Sequence, residues 1–442
     1  MADQAPFPGG VAADGFAVQS EPYFTLADAI QLAFDSSPDL RSAEERTRIA
    51  DAILARARSE FYPQLSVSEA YGVTNNPVNV FSFLLNQAQF SLAGDLNHPP
   101  TTDDFHTQVL LQHGVYAGGR RKADTCAAMA SRSAAGFSLA AAQNELVFRV
   151  AEAYYRAFQA RELVSVRGEA VSQVERHLEI VRSRERAGTA VKSDVLIVEV
   201  RLAEVQEARI TSRNQEELGW AVLENVCGAP IHQRNLPEEI PAAPWSDRVD
   251  QVETAVAEAQ SRRPEIGELA SQMRAAGHNV RAARAGKYPM VDFVADYDVF
   301  TGDFARGNDS WYVGLVARLT LFDGARTRND VCQATAKLRE LQSRRQRLLL
   351  DIELGVRRTY LQLNDARERL EVATRAVAQA QETLREIEVR YRGQSATITQ
   401  LVDAQVALSN ARVRRNTARA EIEIARAALE KSTGRLREVL DS

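Results

Sequence analysis

Charged side chains recur at alternate positions in one short stretch. Asp292, Asp296 and Asp298 fall on one face of an extended segment, and Val291, Phe293, Ala295, Tyr297 and Val299 fall on the other. A second stretch sets Trp311, Val313, Leu315, Ala317, Leu319 and Leu321 against Tyr312, Gly314, Arg318 and Thr320. Period two with one apolar face marks a half-buried strand. Three aspartates and an arginine are costly toward lipid and cheap toward water. The chemistry they suit is electrostatic lining of an aqueous passage. Motifs for bond-making chemistry are missing: there is no phosphate-cradling loop, HExxH, nucleophile elbow or CxxC. The six histidines (His98, His106, His113, His177, His232 and His278) are scattered, so no metal, cofactor or enzyme activity is expected. Cys126, Cys227 and Cys332 are too few for a disulfide framework and read as small buried hydrophobes.

The same alternation occurs earlier. Leu65, Val67, Tyr71 and Val73 alternate with Ser66, Ser68, Ala70, Gly72 and Thr74, and Val109, Leu111 and Val115 with Gln108, Gln112 and Gly114. Glu69 and His113 interrupt the apolar faces, either at a membrane interface or through a slip of register. Four strands are therefore predicted, at about 64–75, 105–116, 290–300 and 310–321, close to the roughly 9–11 residues that cross a bilayer. Four strands cannot close a barrel around a pore. About twelve, from three subunits, can, and closure removes unpaired edges. Between the first two strands, Asn75 to Asp104 reads as an extracellular loop, with Phe81, Phe83, Leu84 and Leu85 packing it down and His98 and His106 flanking it.

The elements that position these strands are long helices. Ala, Glu, Arg, Leu and Val dominate, and no proline lies between Pro100 and Pro230 or after Pro289. Proline costs roughly 3 kcal/mol inside a helix, so residues 118–188 and 324 to about 393 are free to run as single helices. Leu139, Leu146, Val150, Tyr154 and Phe158 recur there at helical spacing. About 70 residues would span roughly 100 Å. The segment 230–247 is proline-rich and reads as a linker. No run of 18 apolar residues is present, and the net charge of −5 is too mild to point to nucleic acid.

The chain also repeats itself. Tyr62-Pro63 matches Tyr288-Pro289, and Pro38-Asp39 matches Pro264-Glu265, at an offset of 226. VYAGGRRKAD (115–124) then matches LFDGARTRND (321–330), and Cys126, Tyr154, Leu202 and Gly228 match Cys332, Tyr360, Leu408 and Gly434, at an offset of 206. The loop in the first copy is therefore about 20 residues longer. Self-similarity of this kind predicts one supersecondary unit used twice: a flexible segment 1–23, a first repeat 24–229, the linker 230–247 and a second repeat 248–442.

In order, TLADAIQLAFDSSPDL, the two Tyr-Pro breaks, LFDGARTR with its weaker copy VYAGGRRK, and RYRGQSATITQLVDAQVALSNAR are similar to the motifs of the TolC-type outer-membrane factor family. The resemblance covers roughly residues 24–440. It implies a mainly α protein with a β-barrel part, a homotrimer with a 12-stranded barrel set in outer-membrane lipid and an α-barrel crossing the periplasm. It implies partnership with a periplasmic membrane-fusion adaptor and an inner-membrane pump, in drug or metal efflux or type I secretion. The start of the chain shows no secretory signal, so a mature form is expected, and no lipid-bearing Cys stands near it.

The same resemblance assigns the site residues. Ala187-Gly188-Thr189 and Arg392-Gly393-Gln394 become the periplasmic tips and adaptor-docking points, with glycine permitting the turns. Gln400 and Asp403, at i and i+3, become candidates for the pore constriction, although Gln400 stands where some relatives carry an acid. An acidic ring would favour cations. Asp194, Arg390, Tyr391 and Arg392 become the links that hold the tips shut. The competing reading is a soluble coiled-coil scaffold or a periplasmic adaptor. An adaptor would have one helical hairpin and Gly-rich β domains, and a scaffold has no need of aspartate-faced strands.

Overall fold

A computed structural model describes residues 23–95, 97–240, 245, 251–302 and 307–436. The expected segment 1–23, but for its last residue, and much of the second half of the 230–247 linker lie outside these. Two short helices, α1 (Leu26–Ser36) and α2 (Pro38–Ser59), lead into strand β1 (Gln64–Thr74). Helix α3 (Pro77–Asn86) follows, then β2 (Thr102–Ala117), α4 (Arg120–Arg186) and α5 (Lys192–Cys227). The second half runs α6 (Val252–Arg262), α7 (Pro264–Arg284), β3 (Met290–Thr301), β4 (Gly307–Arg318), α8 (Arg326–Arg392) and α9 (Ile398–Thr433). Helices α6, α7 and β3 begin 226 residues after α1, α2 and β1, and α8 and α9 begin 206 after α4 and α5. α4 and α8 each hold 67 residues, about 100 Å of helix.

The strands form one antiparallel sheet in the order β1-β2-β3-β4. Its register builds continuous rows across one face, such as Leu65–Leu111–Ala295–Val313 and Val67–Val109–Tyr297–Trp311. Leu65, Val67, Trp311 and Leu315 on that face are 68–74% exposed, a surface unsuited to water over so many neighbours. Even-numbered residues make the other face, with Ser66, Ser68, Gln108, Asp296, Asp298 and Ser310 in adjoining rows. The register does shift beside His113, at a bulge between Gly114 and Tyr116. Glu69 stays on the apolar face, where its carboxylate accepts a hydrogen bond from the Thr107 hydroxyl.

Several boundaries differ from expectation: β2 starts at Thr102 and not near 105, and β4 starts at Gly307 and not near 310. β4 ends at Arg318 and not near 321, because its partner β3 starts at Met290 and offers nothing beyond. Leu319 and Leu321 therefore lie outside the sheet. The loop 75–104 is not simply a loop, since it contains α3. Cysteine burial also differs: Cys227 is buried, Cys126 half-buried and Cys332 exposed on the single chain.

Halfway along the helices lies the main core. Leu146, Val150, Tyr154, Tyr155 and Phe158 of α4 pack against α1, Trp220, Leu223 and Cys227 of α5, and Ile231 and Leu236 of the connecting segment. That connector is tied down: Arg161 donates to the Leu236 carbonyl (2.6 Å), and the Phe24 N–H donates to Asn235 O (2.6 Å). Burial pushes the Cys227 thiol up to about 11.

The barrel-to-helix joint turns on Gly118, whose φ is +60°. A Cβ there would lie 2.7 Å from the Ala285 carbonyl oxygen and 2.9 Å from Tyr288 Cβ. Gly119 shares the left-handed backbone (φ +84°) but faces open space. Left-handed backbone costs a non-glycine roughly 1–2 kcal/mol. Gly119→Ala should therefore lower the thermal midpoint modestly, and Gly118→Ala clearly more, because a backbone clash adds to the same strain. Melting followed by circular dichroism in detergent checks this, and equal shifts would contradict it.

Candidate functional site: tips, lumen face and outer mouth

At the far end of the hairpins the two turns have the same construction. Thr189 N–H and hydroxyl donate to the Arg184 carbonyl (2.9 and 3.1 Å), and Ser395 N–H and hydroxyl donate to the Arg390 carbonyl (2.8 and 3.1 Å). The residue that turns left-handed is Gly188 (φ +74°) in the first tip but Gln394 (φ +57°) in the second. Gly393 has φ −79° and is not the turn residue expected of it. The reason is the repeat itself, since position 188 shifted by 206 is 394.

Below the tips, Val171, Val174, Leu178 and Val181 of α4 pack with Val195 and Val198 of α5, Leu384 of α8 and Leu401 of α9. Tyr391 accepts the Arg184 guanidinium on its ring face at 4.5 Å, joining the end of α8 to the end of α4. Among the described residues Arg390 and Arg392 pair with Glu386 (3.8 Å) and Glu388 (3.6 Å) on their own helix. Asp194, in the first turn of α5, has no ion pair among the described residues. Of the four expected tip links, only Tyr391 therefore joins the two hairpins within the subunit. Residues not singled out from the sequence do so as well: Gln405 donates to Gln173, and Arg412 pairs with Glu169 at 2.6 Å.

Gln400, a pore candidate, is exposed and also caps a helix. Its side-chain oxygen accepts the Thr397 N–H (2.9 Å) while the Thr397 hydroxyl accepts the Gln400 N–H (3.3 Å), a capping box that starts α9. The Thr-x-x-Gln spacing of that box is visible in the sequence. Asp403 is exposed and lines a groove of about 460 Å³ with Leu196, Ile197, Val200 and Val402. His177 sits close by on α4. Burial holds its imidazole below the usual range, against opposing effects of Glu388 and Gln405.

On the even face of the sheet Asp298 accepts from His106 (2.7 Å) and Gln108 (3.0 Å), and the His106 ring stacks on Phe300 at 4.3 Å. Asp292 and Arg318 line a polar cavity of about 510 Å³ with Glu60 and Arg121 where sheet meets helices. Asp292, Asp296, Asp298 and Arg318 thus share one face, opposite the apolar rows. Among the described residues no cluster of three His, Cys, Asp or Glu could hold a metal ion, and no helix is long and apolar enough to cross a membrane.

An exposed apolar sheet with a charged reverse face, carried on two helices about 100 Å long, is a channel architecture. The family model for outer membrane efflux proteins matches residues 29–229 and 255–435. The chain belongs to the outer membrane efflux protein family. Members of this family are channels and not enzymes. Protein CyaE of Bordetella pertussis is 26% identical over 417 residues, covering 93% of this chain and 84% of that protein. Outer membrane protein TolC of Escherichia coli is 22% identical over 452 residues, covering 97% and 86%. The fold superposes on the Campylobacter jejuni CmeC outer membrane channel with a TM-score of 0.80, at 14% identity, over 98% of this chain and 93% of that one. These similarities favour the channel over the scaffold and adaptor readings.

Two outcomes follow. Gly188→Ala should destabilise its tip by about 1 kcal/mol, while Gln394→Gly should stabilise the other by a similar amount; limited proteolysis rates at the two turns check both. A depressed His177 means that the unfolded chain takes up the proton first as pH falls below about 6.5, so stability drops on acidification. The melting midpoint should fall further between about pH 7.5 and about pH 5.5 in the wild type than in His177→Gln. Equal falls would exclude His177 as a source.

Proposed function

We propose that three copies of this chain form one passive outer-membrane duct. Their sheets close a twelve-stranded barrel, and their hairpins form one helical tunnel that reaches into the periplasm. There the tunnel meets a periplasmic membrane-fusion adaptor and an inner-membrane pump, as in tripartite efflux or type I secretion. The observation that carries this is the open four-stranded sheet: its apolar face is exposed, and among the described residues β1 and β4 have no strand on their outer sides. Lipid tolerates an apolar face but not unpaired strand edges, and closure through further copies satisfies both conditions.

In this assembly Asp292, Asp296, Asp298 and Arg318 line the barrel lumen. Residues 24–229 and 248–442 act as two copies of one unit, so each subunit brings two hairpins to the tunnel wall. Gly188, Thr189, Gly393 and Gln394 are the adaptor-docking tips. Asp403 is the acidic group of the constriction with Gln400 on the same helix face, Tyr391 with Arg184 braces the closed tips, and Asp194, Arg390 and Arg392 pair between subunits when the tips meet.

Fractionation of cells making the protein, followed by sizing of the detergent extract, tests this. An outer-membrane, detergent-requiring species near three times 48.9 kDa is expected. A soluble monomer or dimer would overturn the proposal.

A further inference from the structure

Helix α3 lies on the charged face of the sheet and not above or outside it. Its contacts identify the face. The Phe83 ring lies against Gly72, Gln87 donates to the Asp103 carbonyl and to the Asp104 carboxylate (both 2.8 Å), and Asn308 donates to the Asn86 carbonyl (2.8 Å). Gly72, Asp104 and Asn308 all belong to the even-numbered rows that include Asp296 and Asp298. They stand at the ends of the strands remote from α4 and α8. Helix α3 therefore sits at the outer end of the lumen.

The helix has two unlike sides. Val80, 2% exposed, and Gln87, 5% exposed, are buried on the side toward the sheet. Val78, Phe81 and Leu85, at i, i+3 and i+7, form an opposite stripe that is 41–74% exposed. Phe81 also packs edge-on against Phe90 at 5.0 Å, which folds the following loop back onto the helix. Apart from Phe90, this apolar stripe, pointing away from its own sheet, has no cover among the described residues of the subunit.

We propose that the α3 helices of three copies meet through this stripe and narrow the outer mouth to an apolar constriction that limits the size of what leaves. The inference rests on the trimeric channel reading. Twelve strands about 4.8 Å apart and tilted by about 40° enclose a bore about 24 Å across, backbone to backbone. Three helices about 10 Å thick, side by side, fill a circle about 22 Å across. Three copies of α3 therefore leave little open space at that level, and each brings its apolar stripe toward the axis. The occupant of the stripe is the same helix from the other two copies. A bulky substrate must displace α3, bending the chain at the Gln87 attachment to Asp103 and Asp104.

The test is size-selective thiol labelling from outside intact cells, which does not depend on whether the periplasmic tips are open. Ser68→Cys, in a Cys126→Ser/Cys332→Ser background, places a thiol on the lumen face inward of Gly72. One reagent is a small methanethiosulfonate, and the other a maleimide on a short poly(ethylene glycol) whose coil is about half as wide as the bare bore. The small reagent should label the protein with α3 present. The large one should label at least tenfold faster once residues 77–86 are replaced by a short Gly-Ser linker. Should that replacement fail to assemble, Gln87→Ala, which frees the helix without removing it, should give an intermediate rate. Equal rates for the large reagent with and without α3, or an unchanged rate in Gln87→Ala, would overturn the constriction and leave the channel standing. If neither reagent reaches Ser68→Cys from outside, the channel reading itself falls.

Discussion

Among the described residues, β1 and β4 present unpaired N–H and C=O groups along the outer edges of a sheet whose one face is apolar. In hydrocarbon no water is available for those groups, and each unsatisfied one costs several kcal/mol. The rest of the architecture follows from that requirement. The strands alternate because one face meets lipid and the other water. Two of them come from the first half of the chain and two from the second, so β2 must pair with β3 across almost 200 residues of sequence. That pairing fixes the start of α4 beside the end of α7 at one end of the sheet.

From that joint the helices extend by packing and not by charge. The surface of α8 carries many i, i+4 ion pairs, such as Arg357–Glu353 and Arg369–Asp365. Exposed pairs of this kind contribute only a few tenths of a kcal/mol each. Valine and leucine stripes hold the hairpins together at the tips, and large aromatics do so at mid-length. A tip made from small apolar contacts, a cation over one tyrosine ring and a few cross-hairpin hydrogen bonds is well suited to separate without unfolding the mid-length core. Weak, divisible contacts at the moving end and a dense core at the fixed end are what a gated tunnel requires.

The two halves are alike in helix length and unlike in the hairpins. The second strand pair turns in a short connection, whereas the first carries about 20 additional residues containing α3. The added segment returns to the lumen face of its own sheet. An insertion at that point adds to the charged face of the sheet and leaves the strand pairing and the long helices untouched.

Periodicity was readable directly. Alternation over 291–299 and 311–317, the proline-free tracts and the 206-residue offset all reflect local geometry, in which side-chain direction depends only on position along a strand or helix. The charged face and the long helices were legible on that basis, and so was the fault near His113. Contacts between distant segments were not. The inward position of α3 depends on Gln87 meeting Asp104 and on Asn86 meeting Asn308, pairs that exist only once the register is set. The partnership of Tyr391 with Arg184 and the exposure of Cys332 likewise come from helix packing. Gln394, and not Gly393, turns the second tip because the repeat preserves backbone position more faithfully than residue type. The sequence alone thus determined which residues face water or lipid and where helices could run, because those follow from the pitch of each element. Which faces meet, and what fills the mouth, was decided by tertiary structure, because side chains far apart in the chain become neighbours only through the sheet.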